Sequence, residues 1–463
     1  MHDDERLEIR FEGLAEGIEA ATWGQRTIWA PISWYAPDDH YFNIALPLEL
    51  RHPVEPEAFG AALRALLERH GSLRTMYRTR PDGLLEQRLQ GHGALTVRTV
   101  AATAGEPIAA AVERLAAEDR AVRFDLLGDG LPLRVSALLV DGLVAAAALT
   151  MAHIAADGTG AQVVRDDLRR LLVQQRRRPG TLPPPVPGRQ PMEQAAYEAG
   201  PQATARSQAA IALWTRQLAG IPASLWPEET GPAEPERWWE GELACPRLDL
   251  ASRLAAVRTG TSPSAVVLAA VGLELGARTG VGAVPLKVIL GNRVSEAQRT
   301  AVGAFAQNGL VVLDTGAGEG GGAGNGGGLD ESAQQAWRAQ MQTSRHGHYD
   351  PTALAAAVLA EEKRRGAEMD LNALFNDHRE PDRPAGPGAA AAAPEPADLD
   401  GMPAGRFGWR SRWARQDCKF FFGLAHRDGE AFATLLVDTR YVPAAEVEPF
   451  LRAVEERVVA AAG

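Results

Sequence analysis

The stretch "LTMAHIAADGTG" (Leu149–Gly160) places one histidine directly after an apolar run and an Asp-Gly pair four residues on. Imidazole is the side chain whose ordinary pKa suits proton transfer at neutral pH. The bare spacing is common in this chain. Of ten histidines, His153, His346, His378 and His426 all have an acid four residues later. Only His153 is followed by Asp-Gly and preceded by a β-compatible run, "LVAAAALTM" (Leu143–Met151). That combination reads as a buried strand breaking into a tight turn. After it, "TGAQVVRDDLRRLL" sets Val163, Val164, Leu168, Leu171 and Leu172 on one helical face, with Thr159 as the expected N-cap. His153 is therefore expected at a strand-to-helix elbow, near the positive end of a helix.

Other chemical residue types group less well. His346, His348 and Asp350 in "RHGHYD" supply too few ligands for a metal centre, and no metal is expected. "GAGEGGGAGNGGG" (Gly316–Gly328) contains G-x-G-x-x-G after a strand-like segment, but further glycines follow instead of a helix. It reads as a flexible loop, and a dinucleotide site is set aside. Trp238 and Trp239 read as packing residues, with a pocket wall as the alternative.

The elements that must hold the elbow follow from pattern. Strands are expected at "YFNIALPLEL" (Tyr41–Leu50) and "LLEQRLQ", and helices over Pro56–Arg74, ending near Gly71, and Pro107–Val122. "LPLRVSALLV" and "GLVAAAALTM", separated by Asp141-Gly142, form the pattern of a two-residue hairpin, which puts the histidine-bearing strand inside a sheet. "RRRPGTLPPPVPGRQP" (Arg176–Pro191) reads as a semi-rigid linker. Beyond it come helices over Gln208–Gly220 and Pro263–Gly280 and a strand at Ala283–Leu290. The expected organisation is an N-terminal lobe over 1–175, a linker over 176–200 and a C-terminal lobe over 201–463, with flexible insertions at 316–328 and 384–401.

Composition narrows the class. The 463 residues are 45% hydrophobic and 23% charged, with a net charge of −11. That is a globular balance, and the negative charge argues against nucleic acid as a partner. The acidic start lacks an apolar signal region and no run matches a membrane span, so a cytoplasmic protein without a membrane partner is expected. Two cysteines, Cys245 and Cys418, form no CxxC pair and fit a reducing compartment.

In segment order the chain resembles the condensation domains of nonribosomal peptide synthetases, within the chloramphenicol-acetyltransferase-like superfamily. The family signature HHxxxDG stands here as Ala152-His153-Ile154-Ala155-Ala156-Asp157-Gly158, with alanine in place of the first histidine. "WGQRTIW", "LLERHGSLRTMYR", "FDLLGDGLPLRVSALL", "LWTRQLAGIP", "GNRVSEAQRTAVGAFAQNGLVVL" and "MDLNALFNDH" are similar to further family segments, in the right order. "CKFFFGL" departs from the family's pattern near the C-terminus. The resemblance implies an α/β (α+β) fold of two chloramphenicol-acetyltransferase-like lobes, a V-shaped pseudo-dimer with a tunnel between them. It implies a stand-alone acyltransferase that forms an amide or ester in secondary metabolism. The acyl donor would be a phosphopantetheine thioester on a carrier protein or coenzyme A, the acceptor a small-molecule amine or alcohol, with no bound cofactor. His153 would be the base, or the residue that orients the nucleophile. Asp157 would pair with Arg293 from the second lobe, and Gly158 would serve backbone geometry and leave room for the pantetheine arm. Ala152, Asn308 and Gln307 would lie near the tunnel as substrate contacts, with a structural role an equal alternative for Asn308 and Gln307. The competing expectation, drawn from the lost first histidine, is an inactive condensation-like platform that recruits partner enzymes.

Overall fold

Asp141 and Gly142 both take positive φ, 50° and 81°, the geometry a two-residue hairpin needs to match strand twist. They join β7 (Leu133–Val140) to β8 (Leu143–Met151) in antiparallel register from Val140↔Leu143 to Leu133↔Met151. The computed structural model describes residues 6–178, 180–181, 184, 188–317, 328–379, 395–427 and 429–462. The chain divides into two compact units. The first comprises Met1–Arg206 with Gly291–Gln307, the second Ser207–Leu290 with Asn308–Gly463.

In the first unit, β1 (Arg6–Phe11), β3 (Ile44–Val54) and β6 (Gly93–Ala101) join β7 and β8 in a five-stranded sheet of order β1-β6-β7-β8-β3. A second sheet, β2-β5-β4, is built from β2 (Gly17–Ala20), β4 (Thr75–Thr79) and β5 (Leu85–Leu89). Helices α1 (Trp23–Tyr35), α2 (Pro56–Arg69), α3 (Ile108–Arg120) and α4 (Gly158–Arg177) complete the unit. Strand β8 explains its own composition. Ala147, Leu149 and Met151 pack in one core with Phe59, Leu63 and Leu66 of α2 and Val164 and Leu168 of α4. Ala146 and Ala148 pack with Ala111, Val112 and Leu115 of α3. A strand covered on both faces and flanked by β7 and β3 has no use for polar alternation, so it reads as an unbroken apolar run.

Local boundaries differ from expectation where capping decides. Helix α2 stops at Arg69 and a 3-10 turn covers Gly71–Arg74. The strand expected from Tyr41 begins at Ile44, after a 3-10 turn over Asp39–Phe42. The expected linker is partly helical. Arg176 and Arg177 form the last turn of α4, where cations meet the negative end of the dipole. Pro191–Glu198 is a helix with proline at N1, where its missing N–H costs nothing, and a Gln190–Glu193 capping box. The division between units falls after Arg206, not within 176–200.

The second unit is a seven-stranded sheet of β9 (Trp238–Ala244), β10 (Ala283–Leu290), β11 (Gln307–Asp314), β12 (Ala373–Asp377), β13 (Arg406–Trp413), β14 (Phe420–Arg427) and β15 (Glu430–Asp438). Its order is β11-β10-β12-β14-β15-β9-β13. Phe375, Phe420 and Phe422 share a core with residues of helices Pro246–Thr259, Pro263–Thr279 and Val447–Ala462. Of the glycine-rich stretch, 318–327 lies outside the described residues, as does 384–394 of the second insertion.

Candidate functional site

The elbow between β8 and α4 is fixed by its backbone. Ala152 N–H donates to Pro132 O at 3.1 Å, and Ala155 N–H donates back to Ala152 O at 2.9 Å. The Ser72 hydroxyl donates to Ala155 O at 2.5 Å and the Tyr77 hydroxyl to Ile154 O at 3.3 Å. Ile154, Ala155 and Ala156 are fully buried, whereas His153 is half-buried. The turn thus presents one polar side chain on an apolar base. Ser72 and Tyr77 were not singled out from sequence, since nothing in their local pattern ties them to residues about eighty positions away.

The His153 Nδ1 atom is buried and has no hydrogen-bond partner on any other described residue. Desolvation holds the imidazole below its ordinary pKa, against the pull of its own backbone and of the Asp157 charge. That shift favours the neutral ring, the form able to accept a proton.

Asp157 forms no dyad with it. The Asp157 Oδ1 atom accepts the Gly160 N–H at 2.8 Å and an Arg293 Nη2 hydrogen at 2.6 Å, and Oδ2 accepts the Phe305 N–H at 2.9 Å. Asp157, rather than the expected Thr159, is the N-cap of α4. Asp and Thr are both good caps, but Thr159 already lies in the first helical turn.

Arg293 continues the lock. It spans Asp157 and the Gly303 carbonyl with Nη2, and the Gln298 and Ala301 carbonyls with Nη1 at 2.5 and 2.8 Å. Its guanidinium also lies 4.7 Å from the Phe305 ring centroid. The expected ion pair is present. Arg293 lies between β10 and β11 in the chain, yet its segment, Gly291–Gln307, belongs to the first unit, so the pair stabilises the elbow from within one compact body.

Two glycines make this approach possible. A Cβ on Gly160 would meet Gly303 O at 3.1 Å and Arg293 Nη2 at 3.2 Å, and one on Gly24 would lie 2.0 Å from Ala304 O. Gly158 differs from expectation. It is exposed, its φ is not positive and nothing lies within 4 Å of its Cβ position. Backbone geometry does not call for glycine there, and open space does adjoin it.

Two further expectations are corrected, and for a third, Asn308, the contact seen is to its backbone. Ala152 is 2% exposed and packs with Ile32, Tyr77, Phe124 and Ile154, so it is a core residue and not a substrate contact. Gln307 is buried, donates to the Thr27 hydroxyl at 3.2 Å and accepts from Asn292 Nδ2 at 3.4 Å, which commits its amide to internal structure. Asn308 is half-buried in the second unit, where its carbonyl accepts the Tyr349 hydroxyl at 2.6 Å. Elsewhere, Asp350 caps the helix Pro351–Arg365, and Trp238 donates its indole N–H to Cys418 O at 2.7 Å. No group of three or more His, Cys, Asp or Glu side chains arranged to hold a metal occurs among the described residues.

The condensation-domain family matches residues 16–360. Curated relatives include a probable non-canonical nonribosomal peptide synthetase, CymA of Salinispora arenicola, 27% identical over 64% of this chain. The antimetabolite synthetase AmbB of Pseudomonas aeruginosa is 29% identical over 62%. The matched stretches span only 4% and 23% of those two proteins. Among solved structures, the condensation domain of chain release from the enacyloxin polyketide synthase aligns with TM-score 0.68 at 20% identity, covering 96% of this chain and 82% of that one. The starter condensation domain of rhizomide synthetase, a doubly substituted variant solved with C8-CoA and Leu-SNAC, aligns with TM-score 0.66 at 20% identity over 96% and 95%. SgcC5 from Streptomyces globisporus aligns with TM-score 0.67 at 16% identity over 96% and 98%. At these identities the likeness establishes the fold.

Proposed function

The chain belongs to the condensation-domain family, with its chloramphenicol-acetyltransferase-like two-lobe fold, and we propose that it transfers an acyl group from a phosphopantetheine thioester to an amine or alcohol. The observation that carries this reading is His153: a half-buried, neutral imidazole without a partner for Nδ1, held on a turn that Asp157, Arg293, Ser72 and Tyr77 make rigid. With Nδ1 sealed, Nε2 is the nitrogen that meets the acceptor. The acceptor N–H or O–H attacks the thioester carbonyl while Nε2 takes its proton. The C–S bond then breaks, the new amide or ester remains, and the proton passes to the departing thiolate. Positioned proton transfer of this kind is worth about 10²–10⁴-fold.

Asp157 and Arg293 are positioning residues in this scheme, since both spend their polar atoms on backbone and on each other. The solved neighbour carrying C8-CoA and Leu-SNAC supports a carrier- or coenzyme-A-linked donor and a small or carrier-held acceptor. The recruitment-platform reading rests on Ala152, which replaces the first signature histidine. Its burial in an apolar cluster means that the replacement fills core space and removes no group from the reachable face of the turn. The readings separate in one experiment: single-turnover acyl transfer from a loaded carrier or acyl-coenzyme A, with wild type beside His153→Ala. Transfer by the wild type that drops in a folded variant supports catalysis. Absence of transfer from every loaded carrier, together with tight binding to a synthetase partner, supports the platform.

A further inference from the structure

A groove of about 760 Å³ is cut into the first unit between Glu49–Val54 of β3 and the turns of α4 from Arg169 to Arg177. It lies at the far end of both elements from the elbow. Ile44 of β3 pairs with Met151, next to the elbow, whereas Val54 pairs with Val144. Those partners are seven residues apart along β8, roughly 23 Å at about 3.3 Å per residue. Along α4, Arg169 is 11 residues past Gly158, about 17 Å of helix.

The charge in the groove is lopsided. Arg51, His52, Arg169, Arg176 and Arg177 face a single carboxylate, Glu49. The chain as a whole carries −11, and some arginines elsewhere in this unit are matched to carboxylates, as in Arg98–Glu118, Arg114–Glu106 and Arg123–Asp39. In the groove, Arg169 reaches only Asp166 of its own helix at 3.7 Å. Arg51, His52, Arg176 and Arg177 enter no ion pair among the described residues. Between the cations sits Val173, 51% exposed, beside the buried Leu172. The wall itself is a sheet edge: β3 is terminal in the strand order, and its register with β8 breaks between Glu49 and Val54. An edge strand with unspent backbone groups, three arginines without an ion pair (Arg51, Arg176 and Arg177) and one exposed apolar side chain together match an extended peptide that brings carboxylates and a hydrophobic residue.

We propose that this groove docks an acidic segment of a partner protein, laid along Arg51–Val54 with its carboxylates on Arg51, Arg176 and Arg177 and an apolar side chain on Val173. The cations lie on both walls, Arg51 on the strand and Arg169, Arg176 and Arg177 over about two turns of helix, which suits a polypeptide rather than a single phosphate group. Such a contact holds a partner close and raises its effective concentration without touching the acyl-transfer elbow.

The test is fluorescence anisotropy with a labelled eight-residue peptide of alternating Glu and Leu. Wild-type protein is expected to bind it, and more weakly as salt rises. The triple variant Arg51→Glu, Arg176→Glu, Arg177→Glu should lose about tenfold or more in affinity. Arg64→Glu, an exposed reversal elsewhere on α2, should bind as wild type. Undiminished binding by the triple variant, or no binding by wild type, overturns the proposal. Displacement of the peptide by an equal concentration of inorganic tripolyphosphate overturns the polypeptide assignment. Single-turnover transfer from a small acyl thioester should be unchanged in the triple variant, provided its melting temperature matches wild type. A loss there would mean that the groove is not separate from the elbow.

Discussion

His70 and His153 both sit in the first unit close to α4, and their surroundings are opposite. His70 Nε2 lies 3.1 Å from Asp167 Oδ2, with Arg69 Nη1 on the same carboxylate at 3.0 Å, and the His70 and Asp167 side chains are buried. This cluster rivets α2 to α4. His153 has an aspartate four residues away in sequence, yet that aspartate is consumed by the α4 cap, Arg293 and Phe305. The partner of His70 comes from 97 positions away, and the apparent partner of His153 is not one. A histidine whose acid is bound to it acts as a fastener. One whose acid is bound elsewhere keeps a nitrogen available for chemistry.

Breaking the elbow lock should have the largest effect. Arg293→Ala leaves the Asp157 carboxylate buried without its guanidinium, and a loss of about 3–5 kcal/mol is expected in urea unfolding. A loss below about 1 kcal/mol would mean that the lock is ornamental. His153→Ala comes next: the single-turnover rate should fall by about 10²-fold or more while the melting temperature stays put. The wild-type rate should be level at neutral pH and decline as pH falls through the His153 pKa, which desolvation places below 6.5. An acid limb centred at or above 6.5 contradicts the assignment.

His70→Ala should show the converse. Stability should fall by about 1–3 kcal/mol, from lost hydrogen bonding to a buried carboxylate, with transfer changed little. Burial pushes the Asp167 carboxyl up, but the His70 and Arg69 contacts outweigh it and leave the group below its ordinary value. The resulting stability is present above the unfolded-state pKa near 3.9 and is lost as pH falls through the folded one. The gap between wild type and His70→Ala should therefore close below about pH 4. The smallest contrast is between two glycines of one turn. Gly160→Ala pushes a Cβ onto Gly303 and should cost about 1–3 kcal/mol. Gly158→Ala meets nothing within 4 Å and should change stability by less than about 1 kcal/mol.

Much of the elbow was legible in sequence because its signals are local. The apolar run of β8, the Asp141-Gly142 turn and the periodic face of α4 each declare themselves within a few residues, and the structure reproduces the α4 face at Val164, Leu168, Leu171 and Leu172. Arg293 was reached through the resemblance, not through spacing. Errors gathered where a neighbour in space decides. Gln307 reads as a polar tunnel residue until Thr27 and Asn292 are seen to hold it, and Ala152 reads as a site residue until Ile32 and Phe124 close over it. The basic groove escaped notice because Arg51 and Arg176 are 125 positions apart, and "RRR" followed by prolines reads as linker.

By itself the sequence determined which segment turns sharply, which strand is buried and which histidine stands at the junction, since hydrophobic period and turn chemistry act over a few bonds. The tertiary structure alone decided what that histidine is. It folded Gly291–Gln307 back into the first unit, so that one guanidinium and one peptide N–H claimed Asp157. It also enclosed Nδ1 without a partner. Desolvation and hydrogen-bond satisfaction are sums over neighbours in space, and those neighbours come from chain segments more than a hundred residues apart.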